Sequence, residues 1–322
     1  MSVDPDSPGD VTQSSPRVSV LISCHNYGRF VGEAVGGVLE QERPVDEVIV
    51  IDDGSTDDTP RYLEDVRAMD PRVVVERTKN RGQLAAMIRA IELSTGDLLF
   101  FLDADDLFKP GHTAAFLDVF ERYADVDYVY GDYEEFGDRS GVHRSCWAGR
   151  DHDHGRTSLL SKYGLRTYGG VTSVAAVRRG IVLPLLELPD QWITEWRSAG
   201  DSALNHYVSL VGGRKYYRFG DTVRYRVHGG NDHLRLARQR DSAWMMRQFR
   251  TGRWVHRVAS VVCPGDVLMQ YLNREAETTP RLTGKEWRDL VKLVTRHPMP
   301  VFARLGLIGS ITRQWLFPAR RG

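Results

Sequence analysis

The stretch Leu99-Phe100-Phe101-Leu102-Asp103-Ala104-Asp105-Asp106 constrains this chain more than any other, because an unbroken apolar run ends in a cluster of carboxylates. A strand buried on both faces reads as a continuous hydrophobic run, and open α/β sheets bind ligands beyond the carboxyl ends of their strands. Aspartates at such an end are acceptor-only oxygen ligands. They suit a hard divalent cation and, through it, a nucleotide diphosphate. A solvated acidic turn opening a helix near Pro110 accounts for the same residues, and a lone Asp-x-Asp does not choose between the two.

A second run, Val48-Ile49-Val50-Ile51, also discharges into carboxylates, Asp52-Asp53, followed by Gly54-Ser55-Thr56-Asp57-Asp58. Ser55 to Asp57 reads as a helix N-cap and Thr59-Pro60 as a first helical turn. Asp57 and Asp58 are explained by the positive end of that helix. Asp52 and Asp53 stand at the strand end itself, where like charges repel unless a ligand or cation meets them.

Hydrophobic periodicity predicts strands over 17–23, 46–51, 72–77, 97–102 and 126–134, and helices over 28–41, 59–69, 84–93 and 112–123. Strands alternating with helical patterns of about ten to fifteen residues mean βαβ units and a mostly parallel sheet flanked by helices. A dinucleotide fold would need Gly-x-Gly-x-x-Gly directly after the first strand, where Ser23-Cys24-His25-Asn26-Tyr27-Gly28 stands instead. No Gly-rich loop ending in Lys-Ser or Lys-Thr occurs either, so the charge of any diphosphate must be met by something else.

At 322 residues the chain suits one catalytic domain with a smaller helical part at its C-terminal end. Lys+Arg and Asp+Glu balance at 43 each, which argues against a general nucleic-acid binder. Three widely spaced cysteines, Cys24, Cys146 and Cys263, imply neither a disulfide framework nor a zinc site, and a reducing compartment is the simpler setting. Residues 1–16 read as a disordered lead-in without the apolar core of a signal peptide. No apolar run is long enough to span a membrane. From Trp287 onward apolar pairs alternate with Arg296, Arg304, Arg313, Arg320 and Arg321. That pattern fits a helical lid packed on the main domain, or a basic amphipathic tail on an anionic membrane surface. Asp151-His152-Asp153-His154 looks like a metal tract, but short His-rich tracts are weak compositional signals, and it reads as part of a loop over 137–165.

Taken together, Val18 to Ser23 with His25-Asn26, Val48 to Asp57, Asn80-Arg81-Gly82, and Gly96-Asp97 leading to Asp103-Ala104-Asp105-Asp106 resemble the nucleotide-sugar half of a family 2 glycosyltransferase. These are the inverting enzymes with a GT-A fold. His25 stands where the family more often has Tyr, and Ala86-Met87-Ile88 where many members carry Ala-Arg-Asn. The resemblance continues through Tyr168-Gly169-Gly170-Val171-Thr172-Ser173, which is similar to the family's acceptor-side loop, and through Gly200-Asp201, where the family usually reads Glu-Asp. It ends on Tyr225-Arg226-Val227-His228-Gly229-Gly230-Asn231, similar to Tyr-Arg-x-His-x-x-Asn.

The resemblance implies a metal-dependent transfer of a sugar from a nucleotide-diphosphate donor, most simply a UDP-sugar, to a hydroxyl of a glycan, a lipid-linked glycan or a small molecule. It places Ser23, His25, Asn26, Asp52, Asp53, Asn80, Gly82, Asp103, Ala104 and Asp105 at the donor. Asp103, Asp105 and His228 would hold Mn²⁺ or Mg²⁺, Asp201 would be the general base, and Gly169, Gly170, Trp192 and Trp196 would lie on the acceptor side. Trp192 and Trp196 equally fit core and lid packing. The implied domains are a GT-A unit over 17–233, with a nucleotide-sugar half 17–135 and an acceptor half 136–233, and a helical extension over 234–322. The expected location is cytoplasmic, with possible contact at the inner membrane face. A nucleotide-sugar-binding protein without activity and a sugar-phosphate nucleotidyltransferase are the alternatives. The second lacks its Gly-rich, basic first loop here.

Overall fold

The computed structural model describes residues 15–146, 149–164, 167–229, 242–265, 275 and 282–317. Nearly all of the 1–16 lead-in lies outside them, as do Asn231, Arg320 and Arg321. The strands are β1 Val18–Cys24, β2 Glu47–Asp52, β3 Val73–Arg77, β4 Leu98–Asp103, β5 Leu107–Phe108, β6 Tyr128–Gly137, β7 Gly141–His143, β8 His152–Arg156, β9 Ala175–Arg178 and β10 Arg214–Val227. The helices are α1 Gly28–Leu39, α2 Thr59–Met69, α3 Gln83–Leu93, α4 His112–Arg122, α5 Ser158–Gly164, α6 Arg179–Val182, α7 Asp190–Ile193, α8 Gly200–Leu210, α9 Ser242–Val262, α10 Gly284–Arg296 and α11 Val301–Leu316.

One sheet runs in the order β3-β2-β1-β4-β9-β6-β10-β5, with β7 beside β6 and β8 beside β10. The pairings β3-β2, β2-β1 and β1-β4 are parallel, as the alternation of strand and helix predicts. Beyond β4 the sheet is mixed: β9 is antiparallel to both β4 and β6, and β10 is parallel to β6 but antiparallel to β5 and β8. The expectation of a mostly parallel sheet therefore holds only for its first half. Only β6 and β7 there are joined by a short turn; the other antiparallel neighbours lie far apart in the chain, so the alternation of strand and helix does not disclose their direction. The stretch 137–165 is not one loop, since it builds β7, β8 and α5.

Alternate side chains of each strand serve opposite faces. Leu98, Phe100 and Leu102 of β4 join α1, α2 and α4 in one core, while Leu99 and Phe101 face α3 and α8 in the other. That second core also takes Trp254, Val255 and Val258 of α9, Leu290 and Val294 of α10, and Leu307 and Ile311 of α11. The C-terminal helices thus continue the core of the sheet. On α11 the opposite side exposes Phe302 and Leu305. Among the described residues no helix is long and apolar enough to cross a membrane. Cys24, Cys146 and Cys263 are buried free thiols.

Candidate active site

Register brings the strand ends level. Ser23 of β1 lies opposite Asp103 of β4, and Cys24 opposite Asp52 of β2, so both carboxylate runs discharge at one edge of the parallel sheet. Because β9 runs antiparallel to β4, the segment entering β9 starts where β4 ends, and it brings Thr172 and Ser173 to the same edge. The parallel pairing of β10 with β6 carries Arg226 and His228 there from the far side.

At the end of β4, the Asp103 carboxylate accepts hydrogen bonds from Gln83 Nε2 at 3.0 Å and Ser23 Oγ at 3.5 Å, while its main-chain N–H donates to Ser173 Oγ at 3.0 Å. Asp106 is wholly buried and accepts from Ser173 Oγ at 2.6 Å and from the Arg226 N–H at 2.8 Å. Asp105 Oδ2 faces His228 Nε2 at 2.9 Å. The His228 ring sits edge-on to Tyr27 and beside Phe30 at the start of α1. Burial, then the charges of Asp105 and Asp201, push the Asp103 carboxyl up to about 8. Burial and its neighbours Asp105 and Asp103 raise Asp106 well above the carboxylate range. The Asp103 and Asp105 carboxylates, with the His228 imidazole 2.9 Å from Asp105, form a donor set that fits a divalent cation.

At the end of β2 the arrangement departs from a row of ligand-facing carboxylates. Asp52 is fully buried, accepts the Ser55 N–H at 2.8 Å and pairs with Arg77 Nε at 3.3 Å. It is turned inward and shapes the loop after the strand. Asp53 accepts the N–H groups of Arg81 and Gly82 at 2.7 and 2.8 Å. Asn26 has φ of 60°, and its Oδ1 accepts the Thr56 N–H at 2.8 Å, so it also holds main chain. His25 Nδ1 lies 3.0 Å from the Asp53 carbonyl oxygen, and both ring nitrogens lie 3.2 Å from Asn80 Nδ2. Gly82 adopts φ of 99°, and its bare Cα allows the backbone of Trp196 and Arg197 to close over it.

On the acceptor side, α8 opens at Gly200 with Ala199 at its N-cap, so Asp201 lies in the first turn and is not the cap. Its Oδ1 accepts the Ser202 N–H at 2.7 Å. One turn later Asn205 donates to the Gly170 carbonyl at 3.0 Å and accepts from Tyr128 Oη at 2.5 Å. A Cβ at Gly169 would collide with the Asn205 amide, and one at Gly170 with Val174, so these glycines serve close packing. A Cβ at Gly200 would meet Met87 Sδ at 2.9 Å and Leu84 N at 3.0 Å. Two of the departures from the family pattern, at 87 and 200, are therefore neighbours in space.

Trp196 is 9% exposed and meets Trp254 of α9 edge-on at 5.4 Å, which leaves its face to the core and not to a sugar. Trp192 carries the Arg257 guanidinium over its ring at 5.4 Å, and its carbonyl accepts from Trp254 Nε1. Both tryptophans contact α9, as core and lid packing requires. Gln83, Asp106, Ser173 and Asn205 were not read from the sequence as site residues. Asp106, inside the acidic motif, and Ser173, inside the 168–173 loop, lay in stretches that carried a signal; Gln83 and Asn205 did not.

The chain matches a family model described as glycosyl transferase family 2 over residues 19–182. It is 26% identical over 222 residues to an uncharacterized glycosyltransferase of Nostoc sp., covering 69% of this chain and 68% of that protein. A chondroitin synthase of Escherichia coli shares 36% identity over 115 residues, 36% of this chain and 17% of that one. The putative teichuronic acid biosynthesis glycosyltransferase TuaG of Bacillus subtilis shares 36% over 100 residues, 31% and 40% of the two chains. The chain thus spans about two thirds of the first relative and less than half of the other two. The crystal structure of S. aureus TarS 1-349 in complex with UDP-GlcNAc superposes with a TM-score of 0.53 at 15% identity, over 94% of this chain and 73% of that one. The sheet has the GT-A architecture that the motifs implied, and the match covers just over half of the sequence, from β1 through β9 into α6. The chain is a member of glycosyltransferase family 2.

Proposed function

We propose that this protein transfers a sugar from a nucleoside-diphosphate donor to a hydroxyl acceptor with inversion at the anomeric carbon, and that Asp201 is the general base. The observation carrying this reading is that Gln83 donates to Asp103 at 3.0 Å and accepts the Gly200 N–H at 2.9 Å, which ties the first turn of α8, and with it Asp201, to the donor-side carboxylates. The other acceptor-side carboxylates are engaged: Glu195 pairs with Arg257 and Arg253 of α9, and Asp190 pairs with Arg81.

In the reaction, a carboxylate at 201 accepts the acceptor's hydroxyl proton as that oxygen bonds to the anomeric carbon and the bond to the diphosphate breaks. Asp103, Asp105 and His228 would hold Mg²⁺ or Mn²⁺, which supplies Lewis-acid stabilisation to the departing diphosphate when bound. Asp53, through the main chain of 80–82, and His25 with Asn80 would shape the nucleoside end. The TarS complex with UDP-GlcNAc supports a uridine nucleotide as the donor class. The names of the chondroitin and teichuronic acid relatives support a glycan acceptor. The GT-A unit is proposed to span 17–233, inside the cell. The exposed Phe302 and Leu305 beside Arg304 on α11 would allow contact with an anionic membrane face.

The test is Asp201→Asn, which keeps the side chain's shape and removes the proton acceptor. We expect kcat to fall on the order of a hundredfold to ten-thousandfold, with calorimetric donor affinity nearly unchanged. Near wild-type turnover, or a collapse of donor affinity alongside kcat, would remove Asp201 from the role of base.

A further inference from the structure

Away from the carboxylate crevice, β8 carries His152 and His154 two residues apart, with their rings 4.6 Å apart at 83°. Glu286, in the first turn of α10, meets both. Its Oε1 lies 3.2 Å from His152 Nε2 and 2.8 Å from His154 Nδ1, and the three donor atoms all fall within 4.8 Å of one another. The His154 side chain is fully buried, Glu286 is 4% exposed and His152 11%. Bonds of 2.0–2.1 Å in a tetrahedral zinc shell put neighbouring ligand atoms about 3.3 Å apart, so the two imidazole–carboxylate separations need little adjustment to take such an ion.

The surroundings fix Glu286 and His154 from behind. Glu286 Oε2 accepts the N–H and Oγ1–H of Thr283, both at 2.8 Å, in a capping box that leaves Oε1 for the histidines. On the far side of the His154 ring, Nε2 lies 2.8 Å from Tyr130 Oη, the outer hydrogen bond that metal-bound imidazoles usually make. A cavity lined in part by His154, Glu286, Tyr168 and Gln314 adjoins the cluster.

We propose that His152 Nε2, His154 Nδ1 and Glu286 Oε1 form a three-ligand site for a transition-metal ion of the zinc class, separate from the donor-side cation. Two imidazoles and one carboxylate are the donor set that Zn²⁺ takes with a fourth position open, and they serve Mg²⁺ poorly. The ion would join residues 132 positions apart and tie the start of α10 to the sheet. It would also act on the acceptor side, because the His154 ring stacks on Tyr168 at 4.2 Å and 6°, immediately before Gly169.

The experiment uses the full chain, stripped with chelator, dialysed and reloaded with Zn²⁺ or with Co²⁺ as a spectroscopic substitute. We expect about one tightly held zinc per chain, a visible Co²⁺ spectrum of tetrahedral intensity, and a rise in Tm on loading, since an ion bound only by the folded state stabilises it. The spectrum and the Tm rise should persist in Asp105→Asn and vanish in both His152→Gln and Glu286→Gln. Stripped wild type and His152→Gln should melt within a few degrees of each other, which separates loss of metal from loss of fold. Zinc lost in Asp105→Asn but kept in His152→Gln would assign the ion to the donor site alone. No bound zinc and an unmoved Tm would leave the cluster a network of protons only. Either result overturns the proposal.

Discussion

Asp53 spends its carboxylate on the main-chain N–H groups of Arg81 and Gly82, and so holds the Asn80–Gly82 turn against the end of β2. An amide at 53 keeps one good acceptor and turns an NH₂ toward the other N–H, leaving a buried donor unmet at roughly 1–3 kcal/mol. Asp53→Asn should therefore lower Tm, and should raise donor KM more than it lowers kcat because Asn80 and His25 shift with the turn. An unchanged Tm would mean that the turn does not depend on this carboxylate. The case shows how far single residues are legible. Asp52, Asp53, Asn26 and Gly82 do gather at one strand end as the motifs implied, yet a sequence states that a side chain can accept a hydrogen bond and not which donor reaches it. Here the partner is often backbone. The same limit hid Glu286, which meets His154 only because β8 and α10 pack together.

Elements with long, uniform runs were readable to within a residue or two. The run ending at Asp103 is β4, Leu98–Asp103, and the helical spacing from Thr59 to Met69 is α2 with those bounds. The segment 137–165 gave no such signal, since β7 is three exposed residues and β8 is built from His, Asp, Gly and Arg, whose strand state comes from pairing with β10. Between elements, Gln83 at the start of α3 does what no motif announced. Its Nε2 donates to Asp103 of β4 and, at 3.2 Å, to Thr172, while its Oε1 accepts the Gly200 N–H that opens α8 at 2.9 Å. One amide thus sets the spacing between the donor-side carboxylates and the helix carrying Asp201. In Gln83→Ala we expect kcat to fall on the order of tenfold to a hundredfold through misplacement of Asp201, with donor affinity changing far less. A drop in Tm with kcat intact well below the melting point would reduce Gln83 to a structural bridge.

At the scale of the whole molecule, helices that follow residue 241 share a core with the sheet. Trp254 is 1% exposed, stands edge-on to Trp196 and donates to the carbonyl of Trp192, both of which precede α8. Val255, Val258 and Ala259 follow it into the same core as Leu84 and Leu204, and α10 adds Leu290 and Val294. Removing one such tryptophan side chain costs about 3–5 kcal/mol, against a total stability of about 5–15 kcal/mol for an ordinary domain. Removing all of α9, α10 and α11 strips several such groups at once and uncovers the face that α3 and α8 share. A chain ended at residue 241 should therefore fail to unfold cooperatively, despite retaining every residue of the proposed transfer site. Full-length Trp254→Ala should fold with a lower Tm and should weaken transfer, because Trp196 and Arg197 close over Gly82. Scanning calorimetry on both proteins decides the matter. A truncated chain that melts cooperatively at the full-length Tm would show that the sheet and α1–α8 stand alone and that the C-terminal helices are an added layer.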